Sequence, residues 1–335
     1  MIMPDLLSGS IITTRIRLAR NLSGYPFNIK DVPAAKNVIK NVNRALVKCG
    51  TFNLYYVGNL GAVSLEAMKE RHLISPELME NRKCGAVLIN SDETLSVMVH
   101  EEDVIREQCF MRGLRLAEAY KRLEQVDDEL SKTFDFAYDE RYGYLTACPT
   151  NVGTGMRASV MLFLPALSET NAIIAAKRKV EREGLTVRGL YGEGSAAEGY
   201  MYQISNEVTL GLSEYDILKK VESTVLWLCE EERAGKEALY GTQELRTMDK
   251  AKKSFGVLTN AVMLSYGEFL THIANVKLGA MLGMIGIADI EGIDDLMVAV
   301  RPANLCKQHG KELSATERDL FRAEIVGKKL MKLRD

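Results

Sequence analysis

From Gly85 to Val99 the run GAVLINSDETLSVMV is apolar on both sides of an Asn90-Ser91-Asp92 break, the pattern of two strands joined by a turn. Further strand signals recur at Tyr142, Val160, Leu185 and Tyr200. Between them the period changes. Arg112 to Lys132 and Asn171 to Glu183 place apolar residues at i, i+3 and i+4 with charges between, which predicts half-buried helices. After about Ser213 the strand signals stop, and helical patterns run from SEYDILKKVESTVLWLCEEERAGKEAL to Lys332. The expectation is an α+β chain, mixed over residues 1–230 and all-helical over 231–335, with no internal repeat and no low-complexity segment.

With 335 residues and 47% hydrophobic content, the chain can bury one large core or two ordinary ones. A net charge of -2 supplies no global field for nucleic acid, so any anion site must come from a local arginine cluster. Six cysteines lie far apart with no C-x-x-C spacing, which argues against zinc and for a reducing, cytoplasmic setting. The N-terminus lacks a basic start followed by an apolar core, and no run reaches the roughly 18 apolar residues of a spanning helix. A soluble, unexported protein without membrane contact is expected.

Candidate chemistry begins in TTRIRLARN, where Arg15 and Arg17 stand two apart in a strand-like run and so share a face, beside the Thr13 and Thr14 hydroxyls. Such a face suits a nucleotide phosphate tail; a solvated edge strand is the alternative. In MVHEEDVIREQ, the adjacent carboxylates Glu101, Glu102 and Asp103 follow a strand that should be buried and call for a cation, Mg²⁺ or a guanidinium. A polar turn neutralised by Arg106 is the plainer explanation. In ACPTNVGTGMRAS, Gly153 and Gly155 suggest backbone passing close to a bound group, with Arg157 gripping phosphate and Cys148, a thiol near arginines, carrying negative charge. A buried apolar cysteine is the alternative.

In VRGLYGEGSAAEG, Arg188 ends a strand and Gly189, Gly192, Gly194 and Gly199 surround Glu193. A G-x-G-x-x-A fingerprint fits Gly192, Gly194 and Ala197, but the segment that follows turns strand-like and gives no βαβ unit. What remains is a Gly-rich lid bearing one carboxylate, or a surface loop. In SATERDLFRAE, Ser314 and Glu317 predict a capping box that puts Arg318 and Asp319 in a first helical turn with Arg322 one turn on. That is a phosphate site at a helix N-terminus, or a solvated ion-paired helix. His72 has the spacing of a structural histidine, no metal site is expected, and no G-x-x-x-x-G-K-[ST] is present.

Taken in order, TTRIRLARN, HEEDVIRE, CPTNVGTGMRASV and VRGLYGEGSAAEG resemble the catalytic domain of the phosphagen (guanidino) kinases, the arginine and creatine kinase superfamily. Ordinary members carry a helical domain ahead of the first arginine motif, whereas here that motif begins at Thr13 and the helical region follows. This layout, with RDLFRAE near the end, is similar to the protein arginine kinase branch. The resemblance implies a mostly antiparallel sheet flanked by helices, then a helical domain bearing a second, phosphoarginine-binding site at Arg318, Asp319 and Arg322. It implies ATP with Mg²⁺, the nucleotide being lined by Thr13, Thr14, Arg15, Ile16, Arg17, His72, Arg106, Arg157, Ala158, Ser159, Val160, Met161, Arg188, Gly189, Leu190, Tyr191, Gly192 and Glu193. Glu102 would take the acceptor's proton, Glu101 and Asp103 would help with metal and substrate, Glu193 would close over the guanidinium, and Cys148 would lie beside it.

Two departures stand out. The family's Asn-Glu-Glu-Asp-His reads His100-Glu101-Glu102-Asp103-Val104 here, and Met161 replaces the His of small-molecule arginine kinases, in agreement with the protein kinase branch. The implied activity is transfer of the γ-phosphoryl group of ATP to arginine side chains of proteins, marking them for degradation or inactivating a heat-shock repressor. An McsA-type activator, Clp protease machinery and a homodimer are the implied partners, without nucleic acid. A free-arginine kinase and a weakly catalytic phosphoarginine-binding adaptor are the competing functions.

Overall fold

The computed structural model describes residues 9–189 and 198–334. Ten strands occur among them: β1 (Ile11–Arg20), β2 (Phe52–Tyr56), β3 (Ala86–Asn90), β4 (Leu95–Val99), β5 (Ile105–Arg112), β6 (Tyr138–Asp139), β7 (Gly143–Tyr144), β8 (Met156–Phe163), β9 (Leu185–Gly189) and β10 (Met201–Asn206). The helices are α1 (Val32–Leu46), α2 (Ala62–Glu70), α3 (Pro76–Glu80), α4 (Leu116–Ser131), α5 (Pro165–Glu169), α6 (Ala172–Arg182), α7 (Glu214–Asn260), α8 (Tyr266–Met281), α9 (Ile290–Ala299), α10 (Pro302–His309) and α11 (Ala315–Leu333). The strand order in the main sheet is β2-β3-β4-β5-β1-β8-β10-β9, and the pairs from β2 through β1 are antiparallel. The class is α+β, as the change of period along the sequence predicts.

By contacts the chain divides into two compact units. The first holds Thr13–Val160 and Ser205–Ser223. Its β3–β4 hairpin reverses after Asn90 in register Ala86↔Val99, at the predicted turn. Leu65, Leu73, Leu78, Val87 and Ile89 form one of its cores. The buried side of α4 carries Leu116, Ala119, Leu123, Val126 and Leu130, the spacing of a single helical stripe, and packs on α1 and β5.

The second unit takes the segment ahead of Thr13, Met161–Ile204 and the chain from Thr224 onward. Its core gathers Phe269, Leu270 and Ile273 of α8 with Leu296 of α9, Leu305 of α10 and Val326 of α11. The boundary expected near residue 230 falls within α7, whose backbone leaves helical geometry at Gln243. Buried charges fasten this helix: Glu232 accepts from Ala166 N and Leu167 N at 3.0 and 2.9 Å, and Lys236 reaches Ser10 Oγ at 2.7 Å. No helix of the described residues is long and apolar enough to cross a membrane.

Candidate active site

The site starts from the alternation of β1. Thr14, Ile16 and Leu18 are buried toward one side, so Thr13, Arg15 and Arg17 face the other. Register places Ala19 opposite Arg106, Arg17 opposite Gln108 and Arg15 opposite Phe110 on β5, which adds the Arg106 guanidinium to the same face. Arg157 of β8 completes the group, and Ser159, two residues on, donates to the Arg15 carbonyl at 3.2 Å. Burial together with Arg106 and Arg157 pushes the Arg15 guanidinium down to about 10, and burial with Arg15, Arg106 and Arg157 pushes Arg17 well below its ordinary value. A guanidinium does not give up its proton at neutral pH, so the depression marks cations withdrawn from water and, second to that, set against one another. Arg17 Nε is buried without a hydrogen-bond partner among the described residues. Four convergent guanidiniums with Glu101 as their near counter-charge form a site for a polyanion.

The carboxylates lie on the turn between β4 and β5, closed by His100 N donating to Val104 O at 2.8 Å. His100 takes a left-handed φ of 62° and its buried ring meets the Ala35 carbonyl at 3.1 Å, so it serves the turn. The three acids differ in role. Glu101, its side chain fully buried, accepts from Arg106 Nη1 at 2.5 Å and from the backbone of Glu102 at 2.8 Å. Asp103 is buried, and its Oδ1 accepts from Asn21 Nδ2 and Ala147 N, both at 2.7 Å. Glu102 alone is exposed; its carboxyl is pushed up by partial burial and by the charges of Asp103 and Glu101.

Asn21 is the hub that motif spacing did not single out. It donates to Asp103 and to Leu145 O at 3.1 Å and accepts from Val104 N at 2.9 Å, tying the carboxylate turn to the loop that carries Cys148. In that loop Cys148 is half-buried, with Sγ 3.0 Å from Thr150 Oγ1. The glycines have a different reason from the expected one. A Cβ on Gly153 would stand 2.5 Å from Thr209 O and one on Gly155 2.6 Å from Ala19 O, so what approaches closely is the protein's own backbone. Asn206 holds the start of β8 by accepting from Ala158 N at 2.8 Å and donating to Met156 O at 3.0 Å.

Four predicted residues point away from this face. Thr14 bonds Gly113 O and Arg115 N on the buried side, where Ile16 also lies, and Ala158 and Val160 are fully buried core residues of β8. His72 adopts a φ of 62° after α2, and its carbonyl accepts from Gln108 Nε2 at 2.9 Å, which brings its backbone to the residue opposite Arg17. Met161, Arg188 and Gly189 belong to the second unit, with Arg188 exposed near the end of β9. Leu190, Tyr191, Gly192 and Glu193 lie outside the described residues. Among the described residues no cluster of three or more His, Cys, Asp or Glu has the geometry of a metal site.

At the far motif the predicted capping box forms: Ser314 and Glu317 cap α11 reciprocally. Arg322, 1% exposed, donates to Val300 O at 3.0 Å, Leu264 O at 2.8 Å and Asp319 Oδ1 at 2.6 Å. Arg318 is half-buried and donates to Leu313 O at 3.2 Å.

Residues 34–235 match the family model of the ATP:guanido phosphotransferase C-terminal catalytic domain, and residues 244–335 match that of the protein-arginine kinase McsB C-terminal domain. The chain is 42% identical to the protein-arginine kinase of Caldanaerobacter subterraneus subsp. tengcongensis over 96% of its own length and 97% of that protein's. It is 43% identical to the protein-arginine kinase of Halothermothrix orenii, covering 96% of this chain and 93% of that one. Among solved structures, lombricine kinase superposes with a TM-score of 0.59 at 24% identity over 69% of this chain and 71% of that one. The duplicated taurocyamine kinase of Schistosoma mansoni with transition-state-analogue components gives 0.62 at 22% identity over 94% of this chain and 49% of that one, a likeness of fold. The arginine face, the carboxylate turn and these matches lead to one conclusion: the chain belongs to the ATP:guanido phosphotransferase family.

Proposed function

We propose that this protein is an ATP-dependent protein-arginine kinase that moves the γ-phosphoryl group of ATP onto arginine side chains of proteins. The observation that carries the proposal is the half-buried positive face of Arg15, Arg17, Arg106 and Arg157 beside the exposed carboxylate of Glu102. Phosphoryl transfer is chiefly positioning and charge neutralisation, and this face offers both to a triphosphate. The acceptor guanidinium is the harder partner, because its pKa lies above about 12 and its nitrogen attacks only as it loses a proton. Glu102, with its carboxyl pushed up, takes that proton, and Cys148 lies beside the acceptor. When bound, Mg²⁺ would supply charge neutralisation on the phosphates; with Glu101 and Asp103 already engaged by Arg106, Asn21 and Ala147, Glu102 is the carboxylate of the turn left to face it. Roles for Arg188 at the phosphates and Glu193 over the acceptor rest on the resemblance alone.

The relatives named protein-arginine kinases align over nearly the whole chain, which favours protein over free arginine as acceptor. The α11 site is assigned to phosphoarginine, with Arg318, held by the Leu313 carbonyl, as the cation that would meet a phosphate and Arg322 holding Asp319 and the surrounding backbone. Six free cysteines fit a reducing cytoplasm. An activator of the McsA type, Clp protease machinery and a homodimer are the partners we assign on the same kinship. The deciding assay incubates the chain with Mg-ATP and either casein or free L-arginine, reading acid-labile phosphate by mass spectrometry at neutral pH. Label on casein arginines supports the proposal; label on free arginine alone moves the chain to the metabolic branch.

A further inference from the structure

Glu107 is fully buried in the middle of β5, opposite Leu18 of β1 and Val97 of β4. Neither of its carboxylate oxygens meets an ordinary hydrogen-bond donor among the described residues. Its close neighbour is Asp127 of α4, whose charge acts on it. Two neighbouring carboxylates repel where one is buried without a donor, and a proton shared between them removes that repulsion. Asp127 is held on its other side by Arg20, which donates to it through Nε at 3.0 and 3.2 Å and through Nη2 at 2.8 Å. The groups facing this pair are Arg20 from β1, Asp128 and the Tyr120 phenol from α4, the Cys49 thiol and the Tyr144 phenol. Arg20 is the only cation of that set, so one shared proton leaves the buried trio neutral and its loss leaves two carboxylates against one guanidinium.

Arg20 in turn fastens the loop that carries Cys148. Its Nη1 donates to Ala19 O and Thr154 O, both at 3.0 Å, and its guanidinium lies 3.6 Å over the Tyr144 ring. The neighbouring Ala19 N donates to Gly155 O at 2.9 Å. Tyr144 and Thr154 stand at the two ends of the loop, and Arg157 follows shortly after Thr154 on β8.

We propose that Glu107 is a positioning residue for phosphoryl transfer: the proton it shares with Asp127 keeps Arg20 in place, and Arg20 holds the loop bearing Cys148 and the strand bearing Arg157. Burial and the Asp127 charge push the Glu107 carboxyl well above the ordinary carboxylate range, in the direction the geometry requires. Loss of the proton in alkali sets the carboxylates against each other, loosens Arg20 and unseats the loop, which gives the enzyme an alkaline limit belonging to no group that touches substrate.

The role rests on the kinase assignment, whereas the protonation does not, and the two are tested separately. The full chain labelled with ¹³C-glutamate, with Glu107 assigned through its own bonded nuclei, is titrated from about pH 5 to 9 across the range where an ordinary glutamate is ionised. A carboxylic-acid signal at neutral pH is the expected result; an ionised Glu107 there overturns the proposal, whatever the activity. Arginine phosphorylation of casein is then followed against pH. Glu107→Gln, neutral at every pH and still able to donate, is expected to lose the alkaline fall in kcat seen in the wild type. Asp127→Asn is expected to lower kcat by about 10- to 100-fold at neutral pH with the fold retained by circular dichroism, the size of effect that misplacing a catalytic group brings. An alkaline fall unchanged in Glu107→Gln, or an Asp127→Asn enzyme as fast as wild type, overturns the positioning role. If Glu107→Gln does not fold, the wild-type titration and Asp127→Asn decide; if no variant transfers phosphate, the kinase assignment fails while the titration still rules on the proton.

Discussion

Glu101 holds Arg106 Nη1 at 2.5 Å through one carboxylate oxygen and the backbone nitrogen of Glu102 at 2.8 Å through the other. One buried acid thus steadies a phosphate-binding arginine and fixes the start of the residue assigned as base.

That division of labour sets the first prediction. Glu102→Gln leaves every bond of Glu101 intact, so nucleotide affinity should stay near wild type while turnover falls by about 10²- to 10⁴-fold, the range of a lost general base. Steady-state kinetics with casein, together with ATP binding by calorimetry, check it. A comparable loss in ATP affinity would place Glu102 at the nucleotide instead.

The arginine face stores repulsion that an anion relieves. Replacing Arg17 by Met removes a buried guanidinium that Arg15, Arg106 and Arg157 already disfavour. The variant should melt higher than wild type without nucleotide, by about 2–4 °C for each kcal/mol of relief, and should gain less from added Mg-ATP. Melting curves with and without Mg-ATP test both signs at once.

His100 makes stability depend on pH. Burial holds its imidazole below the ordinary value of 6.5, so the folded chain keeps it neutral where the unfolded chain already binds a proton. The unfolded state then carries more protons, and stability falls as pH drops below 6.5 until the folded ring also titrates. His100→Asn tolerates the left-handed backbone and should flatten this dependence. Urea unfolding midpoints across that acidic window would show no difference between the two chains if the idea is wrong.

Arg318 and Arg322 share a motif but not a task. Arg322→Ala strands the carbonyls of Leu264 and Val300 and the carboxylate of Asp319, and should cost about 3 kcal/mol of stability, the scale of breaking a buried ion pair. Arg318→Ala should melt within a degree or two of wild type yet lose affinity for a phosphoarginine peptide. Denaturant unfolding and peptide titration by fluorescence anisotropy separate the two.

Much of this protein was legible in the order of its residues. Alternation and helical period located the β3–β4 hairpin, α4, α6 and the helical end of the chain, because each of those elements buries one side locally. Spacing alone put Arg15 and Arg17 on a common face and Ser314 with Glu317 at a cap, since such relations lie within one strand or one turn. Three adjacent acids announced a site but not their separate roles. Only the tertiary structure bonds Glu101 to Arg106, hands Asp103 to Asn21 and leaves Glu102 exposed, because those partners come from distant strands and loops. The same holds for Gly153 and Gly155, read in sequence as room for a ligand and found giving room to the backbone at Thr209 and Ala19. It holds for Glu107 as well, which reads as one more charge in IREQ until the sheet buries it beside Asp127. Periodicity records which side of an element meets the core; which polar group meets which is decided when the chain closes on itself and water is excluded.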